Sequence, residues 1–80
     1  MFFTYILKNE KDNSHYYGHS KDVESRLKNH NSGKVRSTKS KAPWKIHYFE
    51  TFETKSEAYR RELFFKTIDG YNYLKKEGII

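Results

Sequence analysis

The chain has 80 residues, with 16 Lys and Arg against 10 Asp and Glu, for a formal net charge of +6. That length supports one small domain and excludes a second. Hydrophobic residues make up only 35%, and about half of these are Phe, Tyr or Trp, so the expected core is thin and aromatic. With no cysteine, a disulfide framework and any zinc site with a Cys ligand are excluded. Met1 to Leu7 has no basic region ahead of it and is interrupted by Thr4 and then Lys8, too short for a signal peptide core or a membrane span. A complete, cytoplasmic, monomeric protein with no membrane partner is the expectation.

Residues 2–8 are rich in aromatic and branched side chains and end at the polar cluster Asn9-Glu10-Lys11-Asp12-Asn13-Ser14, which reads as a turn; His15-Tyr16-Tyr17-Gly18 is the returning strand. Gly18 marks a bulge or a close backbone approach. Ser20-Lys21-Asp22 offers helix caps, Val23, Leu27 and His30 follow at helical spacing, and Asn31-Ser32-Gly33 is a stop, giving a helix of about ten residues. A basic loop then leads through Ala42-Pro43 to a third strand, residues 44–52. Thr54-Lys55-Ser56-Glu57 has the form of a capping box and opens a second helix reaching to about Thr67. Tyr71 and Leu74 with Gly78 beyond them predict a short third helix. The order ββαβαα implies an α+β fold, a small antiparallel sheet packed against helices.

Between Ser25 and Phe49 the chain carries Arg26, Lys28, Lys34, Arg36, Lys39, Lys41 and Lys45 and no acidic residue. The basicity therefore belongs to one segment and concentrates a local positive field. Pro43, Gly33 and the Ser/Thr spacing prevent a membrane-binding amphipathic helix, whereas small residues, hydroxyls and the nearby Trp44 suit nucleic acid.

On a wheel of about 100° per residue, Glu62 falls inside the apolar arc that runs from Phe65 through Ala58 to Tyr59 and Leu63. A carboxylate there must be paired or bind a cation. Lys66, four residues on, is one partner; a metal ion is the other. His30 sits on the apolar side of the first helix with Arg26 beside it, as a satisfied core residue or as an acid/base group. The four His residues lack paired zinc-ligand spacing, and no phosphate-binding glycine loop is present.

The segments Phe3-Thr4-Tyr5 and Tyr16-Tyr17-Gly18 resemble the two signatures of the GIY-YIG endonuclease superfamily, in its small stand-alone form. The likeness continues through Gly18-His19-Ser20, Asp22-Val23, Arg26-Leu27, His30-Asn31-Ser32-Gly33, Pro43-Trp44 and Ala58 to Glu62, nearly the whole chain. Phe3-Thr4 stands where the first signature has Gly-Ile, and Tyr17 in the second faces the opposite side of the strand from Tyr16.

The resemblance implies a three-stranded antiparallel sheet flanked by helices and phosphodiester hydrolysis with one divalent cation, Mg2+ or Mn2+. Glu62 would be the metal-binding carboxylate and Arg26 would hold the scissile phosphate. Tyr16 would orient or deprotonate the attacking water, assisted by Tyr5, with His30 as an alternative proton acceptor. Thr38 and Lys39 would touch the nucleic-acid backbone, alongside Lys34, Arg36 and Lys41 of the basic segment. Lacking further DNA-reading domains, the chain is expected to be a DNA endonuclease of low sequence specificity. The alternative is a catalytically inactive nucleic-acid-binding module of the same fold.

Overall fold

A computed structural model describes residues 1–80, apart from the side chains of Ser40 and Lys41. The elements are β1 (Phe2–Asn9), β2 (His15–Ser20), α1 (Val23–Asn31), a 3-10 helix (Arg36–Lys41), β3 (Trp44–Phe52), α2 (Lys55–Phe65) and α3 (Ile68–Lys76). The three strands form one antiparallel sheet in the order β2-β1-β3. This is the three-stranded sheet with helices that the resemblance implied.

Because β1 is central, both of its faces are covered, and Thr4 to Leu7 are all buried. Tyr5 and Leu7 pack with Val23 and Leu27 of α1, Trp44 and Ile46 of β3 and Tyr16 of β2. Ile6 faces the other way, against Phe65 of α2 and Leu74 of α3, with Tyr17 and Tyr48. Helix α1 thus covers one face while α2 and α3 cover the other. Tyr16 and Tyr17 lie in different clusters, as strand alternation requires.

Local chemistry sets the boundaries. The Asn9 side chain accepts from the backbone N–H groups of Lys11 and Asp12, closing the β1–β2 turn, where Asn13 takes φ 60°. Asp22 caps α1 by accepting from Ser25 N–H. Thr54 and Glu57 form the reciprocal capping box of α2. Gly33 and Gly78, beyond α1 and α3, both have positive φ.

Two expectations need correction. The basic loop holds a 3-10 helix, because Val35 C=O accepts from both the backbone N–H and the hydroxyl of Thr38. The apolar arc of α2 is also narrower than the wheel implies: Ala58, Glu62 and Phe65 are buried, but Tyr59 and Leu63 are 47% and 44% exposed. Thr4 donates a 2.7 Å hydrogen bond to the carbonyl of Ala58, seating that residue tightly on the sheet and turning Tyr59 and Leu63 outward.

Arg61 joins α2, α3 and β3. Its guanidinium contacts the rings of Phe64, Phe65 and Tyr73 at about 5 Å and pairs with Glu50 at 2.7 Å. Among the described residues, no helix is long and apolar enough to cross a membrane.

Candidate active site

Tyr5 opposes Gly18 across the β1–β2 ladder, and its ring lies directly over that glycine. A Cβ at Gly18 would meet the Tyr5 hydroxyl at 2.5 Å and its Cζ at 2.6 Å. The glycine therefore marks a close approach rather than a bulge, and the absent side chain is what lets the phenol lie flat.

The phenol is tied into a buried chain of hydrogen bonds. Its oxygen lies 3.2 Å from His30 Nε2, while His30 Nδ1 lies 2.8 Å from the Thr38 hydroxyl. Thr38 donates its own hydrogen to Val35 C=O at 3.3 Å, so it accepts from Nδ1–H. Nε2 is then the bare nitrogen and accepts from the Tyr5 hydroxyl. The imidazole is fixed in one tautomer, its lone pair aimed at the phenol.

Electrostatics agree with that assignment. His30 is fully buried, and burial, reinforced by the Arg26 charge, pushes its pKa down to about 4. Burial raises the Tyr5 pKa, while Arg26 opposes the rise through a hydrogen bond and its charge. The fields of Tyr16 and Glu62 also reach Tyr5 and raise it further. Tyr16 packs edge-on against the His30 ring at 4.6 Å and against Trp44 at 6.3 Å. The structure therefore brings Tyr5, Tyr16 and His30 into direct contact, with the Arg26 charge acting on Tyr5 and His30.

Glu62 approaches from the opposite face. Strand register places His19 against Thr4, and Thr4 bonds Ala58, one helical turn before Glu62. Consequently His19 Nδ1 lies 2.7 Å from Glu62 Oε1. Lys66 Nζ takes Oε2, also at 2.7 Å, so the expected helical partner is real. His19 and Arg26 then line a single cleft of about 420 Å3 with Phe2, Ser20, Lys21 and Lys55. The cleft lies at the end of the edge strand β2, where side chains from both sheet faces meet.

Sequence reasoning missed His19. The signal was its place on β2 directly after Gly18, in the alternation that puts it opposite Thr4.

Among the described residues, no three His, Cys, Asp or Glu side chains are grouped to cage an ion. A single buried carboxylate bonded to His19, which lines the cationic cleft, nevertheless fits a hydrated Mg2+ or Mn2+ that draws its other oxygens from water and a phosphate. The fit requires Lys66, about half exposed on a flexible stem, to yield one oxygen.

The basic segment is divided. Lys34, Arg36 and Lys39 are exposed, and the side chain of Lys41 lies outside the described ones. Thr38 corrects the expectation of a backbone contact: it is 1% exposed and its hydroxyl is committed to His30 and Val35. Instead it anchors the basic segment beneath the site, since its carbonyl also accepts from Trp44 Nε1–H at 3.2 Å.

Residues 1–73 match the GIY-YIG catalytic domain, so the chain belongs to the GIY-YIG family, a nuclease superfamily. Within it the chain is similar to UPF0213 proteins. It is 45% identical over 74 residues to one from Staphylococcus haemolyticus, covering 91% of this chain and 89% of the relative. A Bacillus licheniformis relative is 43% identical over 63 residues, covering 78% of this chain, which spans 65% of that relative's length. The solution NMR structure of the Bacillus halodurans UPF0213 protein superposes with a TM-score of 0.53 at 34% identity, covering 95% of this chain and 84% of that one.

Proposed function

We propose that this protein is a divalent-metal-dependent endonuclease that hydrolyses phosphodiester bonds in DNA with low sequence specificity. The observation that carries the reading is the Tyr5 hydroxyl bonded to the unprotonated Nε2 of a buried His30 within the field of the Arg26 charge, beside the cleft that Arg26 shares with the Glu62 partner His19.

Arg26 binds the scissile phosphate and offsets the charge that grows on it, a task suited to a planar cation that never loses its proton. Tyr16, less buried than Tyr5, orients the attacking water. The buried Tyr5 hydroxyl and His30 Nε2 form the hydrogen-bonded pair behind Tyr16 that takes up the proton of that water, Nε2 being the bare nitrogen that ends the relay. Burial and then the Arg26 charge disfavour an imidazolium there, and the arriving phosphate relieves the second of these. Glu62 would hold the cation, Mg2+ or Mn2+, which supplies Lewis-acid polarisation of the phosphate when bound. Lys34, Arg36 and Lys39 contact the DNA backbone, which carries affinity but no sequence information.

The capture of both Glu62 oxygens by His19 and Lys66 favours a second reading, a nucleic-acid-binding module without turnover. One experiment separates the two. Purified protein is incubated with single-stranded, duplex and branched DNA, with and without Mg2+ or Mn2+, beside Glu62→Ala. Metal-dependent cleavage that Glu62→Ala abolishes supports the endonuclease. Salt-dependent binding without cleavage under either metal supports the module, and cleavage undiminished in Glu62→Ala overturns the metal assignment.

A further inference from the structure

A second concavity adjoins the cleft, on the face that α1 covers. It measures about 230 Å3 and is lined by Phe3 and Val23, Ile46 and Phe49, with Lys21, Asp22 and Glu24 at its rim. Phe49 is 52% exposed, and Phe3 braces its ring edge-on, the centroids 5.8 Å apart at 68°. Scattered exposed apolar residues are ordinary, but a braced aromatic ring in a concave apolar groove is not.

Register places this groove at the site. Phe49, Tyr5 and Gly18 form one row across β3, β1 and β2, and Phe3 stands in the next row with Ser20, which lines the cationic cleft. Lys21 borders both concavities. The groove that holds Phe49 and the cleft that holds Arg26 are thus neighbours across Lys21.

The charges at the rim decide which part of the nucleotide enters. Asp22 and Glu24 repel a phosphate from the groove, and Lys21, Arg26 and Lys55 attract one to the cleft. What remains for the groove is the flat, neutral base, whose π-face stacks on an aromatic ring whatever its identity.

The geometry points to a nucleobase subsite: the DNA base beside the scissile phosphate lies in this groove against Phe49. The inference rests on the reading of Arg26 as the phosphate holder and gives that reading a substrate feature, an unstacked nucleotide next to the cut.

The test measures binding in EDTA, so that turnover plays no part. A thymidine oligonucleotide of about ten residues is compared with an abasic strand of the same length and charge. The wild type is expected to prefer the thymidine strand by roughly tenfold or more. Phe49→Leu, which keeps apolar bulk without a π-face, is expected to lose most of that preference, and Phe49→Trp to keep it. Thermal denaturation of each variant verifies that it is folded. Equal binding of the two strands by wild type, or a preference that survives Phe49→Leu intact, overturns the subsite while leaving the nuclease reading in place. Failure to bind either strand at low salt overturns both.

Discussion

His30 and Thr38 share a 2.8 Å hydrogen bond that decides which imidazole nitrogen faces Tyr5. Thr38→Val keeps the shape of the side chain and removes its hydroxyl, leaving the buried Nδ1–H without an acceptor. The expected loss of stability is about 1–3 kcal/mol, the desolvation penalty of an unmet buried donor. Val35 C=O contributes little to that loss, since it still accepts from the Thr38 backbone N–H at 3.1 Å. Denaturant unfolding of Thr38→Val against Thr38→Ser, which restores the hydroxyl, measures the effect. In a cleavage assay Thr38→Val lowers kcat more than it raises KM, because the proton acceptor is disordered while the phosphate contacts remain.

The same histidine makes folding sensitive to mild acid. Its pKa is about 4 in the native protein, against an ordinary value near 6.5, so between those values the unfolded chain binds more protons. Stability is fully present above about pH 6.5 and is lost progressively as the pH falls towards 4. The contribution is on the order of 3 kcal/mol. His15, whose pKa burial and then His47 also depress, acts in the same direction. Urea unfolding across this range records the slope. An NMR titration of the His30 ring is expected to show neutral imidazole down to about pH 4; a midpoint near 6.5 would contradict the buried tautomer.

What could be read in advance followed from local chemistry. Asp22, the Thr54 and Glu57 capping box, and Gly33 and Gly78 each mark a helix end through groups a few residues apart, so their spacing in the chain is their spacing in space. The third strand, Trp44–Phe52, was bounded by Pro43 before it and the capping box after it. Illegible features depended on register between distant segments. His19 meets Glu62 only because Thr4 pairs with one strand and bonds to Ala58 in a helix 54 residues away. Thr38 looked like a phosphate contact because its neighbours are basic, whereas a buried histidine and a carbonyl three residues back claim its hydroxyl. A wheel describes a helix without saying which side the sheet will take, and hence Tyr59 and Leu63 were placed inward.

Gly18→Ala tests the close approach of Tyr5. The added Cβ would lie 2.5 Å from the hydroxyl and 2.6 Å from Cζ, and the phenol cannot retreat because it is 1% exposed and tied to His30. Overpacking of this kind costs typically about 1–3 kcal/mol. The ring carbon alone is close enough to clash, so Tyr5→Phe is expected not to rescue Gly18→Ala. Thermal melts of the single and double variants check this; full rescue would assign the constraint to the hydroxyl rather than to the ring.

Lys66 competes with a cation for Glu62. Its ammonium holds Oε2 at 2.7 Å, and because the side chain is about half exposed, the pair adds little to folding. Lys66→Met keeps the stem and deletes the charge, which frees one oxygen while His19 still holds the other. Half-maximal cleavage is therefore expected at a divalent-metal concentration lower by roughly threefold to tenfold, since removing a competing charge at a partly exposed site is worth about 1 kcal/mol. Denaturation temperatures without metal should stay close to wild type. Titration of Mn2+ against cleavage rate gives the shift directly. His19→Gln keeps a donor beside Oε1 and should move the midpoint less. An unchanged midpoint in Lys66→Met would mean that Glu62 does not hold the ion on which cleavage depends.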